Sequence, residues 1–290
     1  MKKTLMTGLA IAALGLGGAV HSDPFSTAAS VQTETGINPL LAEVKAGDSK
    51  RIQYELEAVA YFLFIPITAK GTFDVALNPD FYTINTHVKT TGVADIFVDY
   101  DMTVAASGYV RDNDLMTYNY VSQNHDGKKN RRVELTYGQD DVKMVAKPGF
   151  GDLGFPPATP EQKIEARDPL TAFIGAAFRP RPADNPCGGQ IKFFDGKQLT
   201  YMSFTPIGET SVRTKAYKGK AFECHVTVNR VAGYDEDDRG TNLSGIDGPM
   251  RMFFAEPFDG FVTPVKLIVD SEDVGKITVT AKKLDLIDAG

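Results

Sequence analysis

The sequence contains no tryptophan, only two cysteines and only four histidines. Two cysteines that lack a C-x-x-C spacing form neither a dithiol redox motif nor a complete tetrahedral zinc site. The histidines stand in no H-E-x-x-H pattern, and no G-x-S-x-G pattern supplies a serine nucleophile. The sequence therefore predicts no catalytic residue, no metal ligand and no cofactor.

One glycine pattern imitates a cofactor motif. Gly149 to Gly154 reads G-x-G-x-x-G, which opens a helix in dinucleotide-binding folds. Pro156-Pro157 follows at the place where that helix would have to begin. We therefore expect a loop here and no bound nucleotide.

Long apolar runs are confined to the N-terminus, where Leu5 to Val20 follow the basic residues Lys2 and Lys3. A polar segment that ends near Ser30 completes the order of a secretory signal. The apolar stretch is shorter than the ~20 residues of a membrane-spanning helix. We predict a signal peptide within residues 1–30, cleaved between Ser22 and Ser30, and a periplasmic mature protein without an integral membrane span.

The formal net charge is −6, which argues against nucleic acid as a partner because phosphate binding needs clustered Lys and Arg. In an exported chain Cys187 and Cys224 are expected to form a disulfide. Closing that loop restricts the unfolded chain by about 4 kcal/mol in the loop-entropy model.

Period-two alternation of apolar residues recurs through most of the chain and predicts strands with one buried face. Phe73, Val75 and Leu77 form one such set, and Met116, Tyr118 and Tyr120 form another. Short turn sequences between the sets leave no room for crossover helices and indicate antiparallel meanders. We predict an all-β fold, a large curved sheet or open barrel, as one β-rich domain over 31–290; two packed halves are the alternative.

Two segments break the strand pattern. Asn38 to Ala46 could form a short helix, and Glu161 to Phe178 predicts a longer one in which Asp168-Pro169 supplies an N-cap and a first-turn proline. The part from 168 to 178 is apolar on every side. An apolar helix in a β protein has to be buried, so we expect it to fill the concave side or one mouth of the sheet.

An apolar surplus near this helix suggests where a ligand would lie. The alternatives are an ordinary core and an apolar cavity, between sheet and helix, that accepts an acyl chain or an apolar peptide. The residues predicted to line such a cavity are Phe62, Phe64, Leu170, Phe173, Ile174 and Phe178.

Several short segments, taken together in their order along the chain, resemble a known family. They are Gln53-Tyr54-Glu55-Leu56, Asp168-Pro169-Leu170-Thr171-Ala172, Ile191-Lys192-Phe193-Phe194-Asp195-Gly196-Lys197, Ala221-Phe222-Glu223-Cys224, Pro264-Val265 and Gly275-Lys276-Ile277. The chain resembles the periplasmic family known as domain of unknown function 3108. The resemblance implies a secreted open barrel or β-spiral, similar in shape to lipoprotein carriers and receptors, and it brings no catalytic residues.

Our leading hypothesis is a non-enzymatic protein of envelope maintenance that holds a lipid, an acyl chain or an apolar peptide against a concave sheet. Its expected partners are lipid, lipoprotein or envelope proteins. One alternative is a structural or protein-interaction module of the cell envelope without a small ligand. A second is a hydrolase whose paired acids lie far apart in sequence.

Overall fold

The computed structural model describes residues 36–62, 65–91, 100–126, 130–241, 243, 245–272 and 275–289, without the side chains of Phe62, Ile65 and Asp237. The predicted signal peptide and its cleavage site lie outside these ranges, as does Phe64.

Two meanders of strands are separated by a helical segment. The first meander comprises α1 (Pro39–Ala46), β1 (Lys50–Phe62), β2 (Ile65–Leu77), β3 (Phe81–Thr91), β4 (Asp101–Val110), β5 (Leu115–Asn124), β6 (Arg132–Tyr137) and β7 (Val142–Lys147). Residues 148–190, here named the crossing segment, contain α2 (Pro160–Glu165) and α3 (Pro169–Ala176). The second meander comprises β8 (Ile191–Phe194), β9 (Leu199–Arg213), β10 (Lys218–Ala232), β11 (Met250–Phe258), β12 (Phe261–Ser271) and β13 (Gly275–Asp288).

All thirteen strands belong to one antiparallel sheet, in the order β7-β6-β5-β4-β3-β2-β1-β13-β12-β11-β10-β9-β8. Pairing between β1 and β13 joins the two meanders, and within the described residues β7 and β8 are the edge strands of an open sheet. The predicted all-β fold is confirmed. Short turns join consecutive strands, as the sequence predicts, and they include residues 78–80, 112–114, 138–141 and 195–197.

One face of the sheet carries the buried core and is here named the inner face. The strand register aligns Ile52, Val75, Ile84, Ala106 and Tyr120 directly opposite one another across β1 to β5, and all five are buried. Helix α1 covers this end of the inner face, because its buried residues belong to the same hydrophobic cluster. Those residues are Leu40, Leu41 and Val44.

The two ends of the sheet overlap without backbone pairing. The turn between β8 and β9 packs against the inner face of β6 and β7, where Gly196 meets the side chains of Val133, Leu135 and Met144. A Cβ on Gly196 would stand 2.5 Å from Val133 Cγ1, so glycine permits this close approach. The sheet is therefore wound as a spiral with the second meander tucked inside the first.

The long helix expected over Glu161 to Phe178 is two helices, and the prediction of one continuous helix was wrong. The residue before a proline is disfavoured in the α conformation, and Asp168 is extended and caps α3. Arg167 instead pairs with the edge strand β8, through its N–H to Lys192 O (3.1 Å) and its carbonyl to Phe194 N (2.8 Å). The buried apolar helix around 168–178 is confirmed as α3.

A β-bulge corrects one strand prediction. Met116 and Tyr118 were expected to share a buried face with Tyr120, but both are exposed while Tyr120 is buried. The pairing of β4 with β5 skips Tyr118, so the face on which side chains point changes there. Gly108 opposes the bulge, and a Cβ at that position would collide with the carbonyl oxygen of Met116.

The predicted disulfide between Cys187 and Cys224 is confirmed, with Cα atoms 6.1 Å apart. Both residues are buried, and the bond ties the end of the crossing segment to β10. The crossing segment is thus fixed at both α3 and its C-terminal end.

Candidate functional site

An apolar cavity of about 70 Å³ lies on the inner face, between α3 and the strands at the junction of the two meanders. Helix residues Phe173 and Ile174 form one wall. The other walls are formed by Tyr54, Leu56, Phe73, Met252, Thr263, Pro264, Lys266, Leu267 and Val279.

The strand register explains why a space remains at this place. Tyr54 stands opposite Phe73, but the next inner-face pair is Leu56 and Gly71, followed by Ala58 and Ala69. Glycine and alanine side chains are too short to fill the space below Phe173 of the helix, whereas Phe73 lines the cavity beside it. The cavity therefore lies where the inner-face side chains change from large to small.

Hydrogen bonds hold α3 against the first meander. Asp168 Oδ1 accepts the N–H of Thr171 (3.0 Å) as the N-cap, and its Oδ2 accepts the hydroxyl of Thr117 in β5 (2.6 Å). The hydroxyls of Thr171 and Tyr82 are 2.6 Å apart. Burial raises the pKa of the Asp168 carboxyl above its usual range, and the hydrogen bonds from Thr117 and Thr171 oppose that shift. The helix start is thus fixed by directional contacts.

Few polar groups stand around the cavity. The hydroxyl of Tyr54 donates to the carbonyl oxygen of Pro264, and burial raises the pKa of this phenol. Lys266 also contributes to the cavity wall, and its ammonium lies 5.5 Å from the ring centre of Phe253. Apart from Lys266 and the hydroxyls of Tyr54 and Thr263, the cavity wall is apolar.

Beyond the cavity the inner face of β1 to β4 is mostly apolar and partly exposed, although Ala60 and Thr90 on this face are buried. Ala58, Ala69, Val88 and Met102, here named the open strip, lie on β1 to β4 and are half-buried. By contrast, Ile52, Val75 and Ile84 on the same face are fully buried under the helices. The open strip therefore continues the cavity toward solvent.

The residues predicted to line a ligand site fall into three groups. Phe173 and Ile174 line the cavity. Leu170 and Phe178 do not line it: both are buried in the core, where the ring of Phe178 packs on Phe261 with centroids 5.2 Å apart. Phe62 lies at the end of β1 without a described side chain, and Phe64 lies outside the described residues.

Sequence reasoning missed most of the cavity wall, which comes from five strands. Met252, Leu267 and Val279 stood in recognisable alternating or apolar runs, and alternation placed them on one face of their own strands. Their proximity to Tyr54 depends on the pairing of β1 with β13, which joins segments more than two hundred residues apart. Only the strand order brings them together.

An open antiparallel sheet wound around a buried helix places this chain among barrel-like β proteins. More particularly, the chain belongs to the family DUF3108, described as a protein of unknown function, whose model matches residues 53–282. No curated protein matches the chain. Within the described residues, no helix is long and apolar enough to cross a membrane.

Three solved structures are similar at low sequence identity. A β-barrel-like DUF1849 protein from Brucella abortus is 13% identical with a TM-score of 0.44, covering 83% of this chain and 98% of its own. A DUF1329 family protein from Desulfovibrio piger is 10% identical with a TM-score of 0.22, covering 84% and 88%. A domain from Vibrio parahaemolyticus, described as belonging to an outer membrane lipoprotein-sorting protein, is 11% identical with a TM-score of 0.26, covering 86% and 92%.

Proposed function

We propose that this is a non-enzymatic periplasmic protein that binds the acyl chain of a lipid or lipoprotein on the inner face of its sheet. The observation that carries the proposal is the apolar cavity between α3 and the sheet, continued by the open strip. A long apolar chain gains most from a site that is apolar along its whole length.

The cavity size indicates how the chain would enter. About 70 Å³ is below the roughly 300 Å³ at which small-molecule sites begin. The cavity therefore accepts the end of an acyl chain, and the rest of the chain lies along the open strip past Ala58, Ala69 and Val88. Deeper entry requires Phe173 and Ile174 to move outward.

The lining favours binding over catalysis. Among the described residues it contains no Asp, Glu, His, Cys or Ser side chain, and the hydroxyl of Tyr54 is already bonded to the carbonyl oxygen of Pro264. The buried disulfide and the expected signal peptide support an oxidising envelope compartment as the place of action.

The first test is native mass spectrometry of the protein purified from its own envelope fraction, followed by solvent extraction and lipid analysis. We expect a bound acyl species in the folded protein and saturable binding of an apolar fluorescent probe. Reduced and unfolded protein is the control, because it lacks the cavity and should release both ligands.

Absence of co-purifying lipid together with absence of probe binding would overturn the proposal. Co-isolating envelope proteins in the same preparation would then favour the structural or interaction module. Turnover of an ester or glycoside panel, abolished by one Asp or Glu substitution, would favour the hydrolase.

A further inference from the structure

A second and larger recess lies on the opposite face of the sheet from the apolar cavity. It is a groove of about 520 Å³ over strands β2 to β6, here named the outer groove. Its volume falls within the roughly 300 to 1,000 Å³ of small-molecule sites. The strand register places its side chains on the outer face, since Asn85 and His87 flank Thr86, which is paired with the inner-face residue Phe73.

The groove follows β4 because that strand carries small residues. Thr103 and Ala105 form the floor, and their partners on the neighbouring strands are larger. Register sets His87 and Gln123 on either side of Thr103, and Asn85 and Val121 on either side of Ala105. The floor therefore offers the methyl groups of Thr103 and Ala105 between walls that carry amide and imidazole groups, and the Thr103 hydroxyl lies 3.0 Å from His125 Nε2.

The titratable groups of the outer groove already have partners within the protein. Asp74 accepts two hydrogen bonds from Arg51, one of them from Nε at 2.7 Å, and this guanidinium lowers the pKa of the Asp74 carboxyl. Asp101 Oδ1 lies 2.8 Å from His87 Nε2. Arg132 Nε donates to Glu134 Oε1 at 2.6 Å.

Because oppositely charged partners lie side by side, the groove offers hydrogen-bonding groups but no strong positive or negative electrostatic potential. A charged ligand would have to break one of these pairs, whereas a neutral ligand with many hydroxyl groups can bond to their outward atoms and to the amides. The C–H face of a sugar ring matches the apolar floor of Ala105 and Val121. The chemistry of the groove thus suits a neutral polyhydroxylated ring compound.

We propose that the outer groove binds neutral carbohydrate, a segment of an oligosaccharide, independently of the acyl site on the inner face. On one wall Asn85 contributes its amide group. On the other wall Gln123 contributes its side-chain carbonyl oxygen, because its amide nitrogen donates to Asn124 and Asn130. One chain would then contact an apolar and a sugar ligand on opposite faces of the same strands.

The test is a titration of the purified full protein with maltotriose and with triacetylchitotriose, followed by nuclear magnetic resonance chemical shifts. We expect saturable shifts that map to β3, β4 and β5 for at least one of these sugars. Asn85→Ala and Gln123→Ala should each weaken that binding by at least about fivefold, the effect of one net hydrogen bond.

Asn119→Ala is the matched control, because Asn119 lies on β5 outside the groove lining. This variant should bind sugar with the affinity of the wild type. A trisaccharide of galacturonate should bind more weakly than the neutral sugars. Absence of shifts at millimolar sugar, or an unchanged affinity in both groove variants, overturns the proposal. Tighter binding of the acidic trisaccharide than of the neutral sugars would overturn the proposal that the ligand is a neutral carbohydrate. Binding of an acyl probe remains unaffected in every case, since that site lies on the other face.

Discussion

The inner faces of the two meanders are packed by different chemistry. The first meander buries hydroxyl groups on its inner face, and those of Tyr82 and Thr117 bond to Thr171 and Asp168 at the start of α3. The second buries apolar side chains against the opposite side of that helix, among them Met202, Cys224, Val226, Met250 and Met252. Side-chain hydrogen bonds therefore tie the start of α3 to the first meander, and apolar side chains pack its middle against the second. Backbone hydrogen bonds of Arg167 and Ala177 also tie its two ends to β8 and β12.

This difference indicates which contacts of α3 can change when the cavity widens. Hydrogen bonds fix distance and angle, so Asp168 and Thr171 hold the start of α3 on the first meander. Contacts of Phe173 and Ala176 with the second meander are apolar and non-directional. We expect the cavity to widen by displacement of Phe173 and Ala176 away from β11 to β13. The hydrogen bonds of Asp168 and Thr171 to the first meander, and that of Ala177 to Val262, should stay intact.

Removal of the disulfide should have the largest effect on stability, because it frees the crossing segment from β10 in the second meander. Cys187→Ala with Cys224→Ala releases a constraint on 37 residues of sequence, and we expect a loss of about 4 kcal/mol in the free energy of unfolding. Urea denaturation followed by circular dichroism measures it. Wild-type protein kept under reducing conditions is the control, and a stability equal to that of the oxidised protein would contradict the assignment.

Removal of the Asp168 carboxyl should weaken the attachment of α3 to the first meander. Asp168→Ala leaves Thr117 and the N-terminus of α3 without their acceptor, at a cost of about 2–3 kcal/mol. Asp168→Asn is the matched variant: it keeps an acceptor oxygen, so a much smaller loss is expected at neutral pH. Equal losses in the two variants would show that the hydrogen bonds do not hold the helix.

The same pair of proteins gives a pH dependence with a defined sign. The pKa of Asp168 is raised in the folded protein, so the folded state holds this proton more tightly than the unfolded state does. The protonated Asp168 carboxyl therefore stabilises the folded protein fully at pH values below 3.8, its ordinary pKa. This stabilisation is lost as the pH rises through the pKa of the folded protein. The free energy of unfolding of Asp168→Asn, relative to that of the wild type, should therefore increase as the pH rises through this range. Unfolding curves at a series of pH values measure it. A difference that stays constant with pH would contradict this sign.

Two tyrosine hydroxyls should give the smallest effects and sharpen the comparison. Tyr82→Phe removes the bond to Thr171 and should cost about 1 kcal/mol. Tyr137→Phe is its control, because that buried hydroxyl has no hydrogen-bond partner among the described residues. Its removal should leave the free energy of unfolding unchanged or slightly increased, since an unpaired buried hydroxyl is costly. A larger loss for Tyr137→Phe than for Tyr82→Phe would contradict the assignment of the bonded side.

The sequence predicted those features that depend on neighbouring residues. Alternation predicted the strands, turn residues predicted the connections, and Asp168-Pro169 predicted the start of α3. The bulge at Tyr118 was missed because it depends on how β5 pairs with β4. The cavity was predicted only on its helical side, through Phe173 and Ile174, because the pairing of β1 with β13 is a long-range contact that no local pattern records.

The absence of tryptophan permits the most direct test of acyl binding. Phe73→Trp places one reporter in the cavity wall, and Tyr118→Trp places one on the exposed surface as a control. Titration with a brominated fatty acid, which quenches a tryptophan only in contact, should quench Phe73→Trp saturably and leave Tyr118→Trp almost unchanged. Equal and unsaturable quenching of both variants would contradict an acyl site on the inner face.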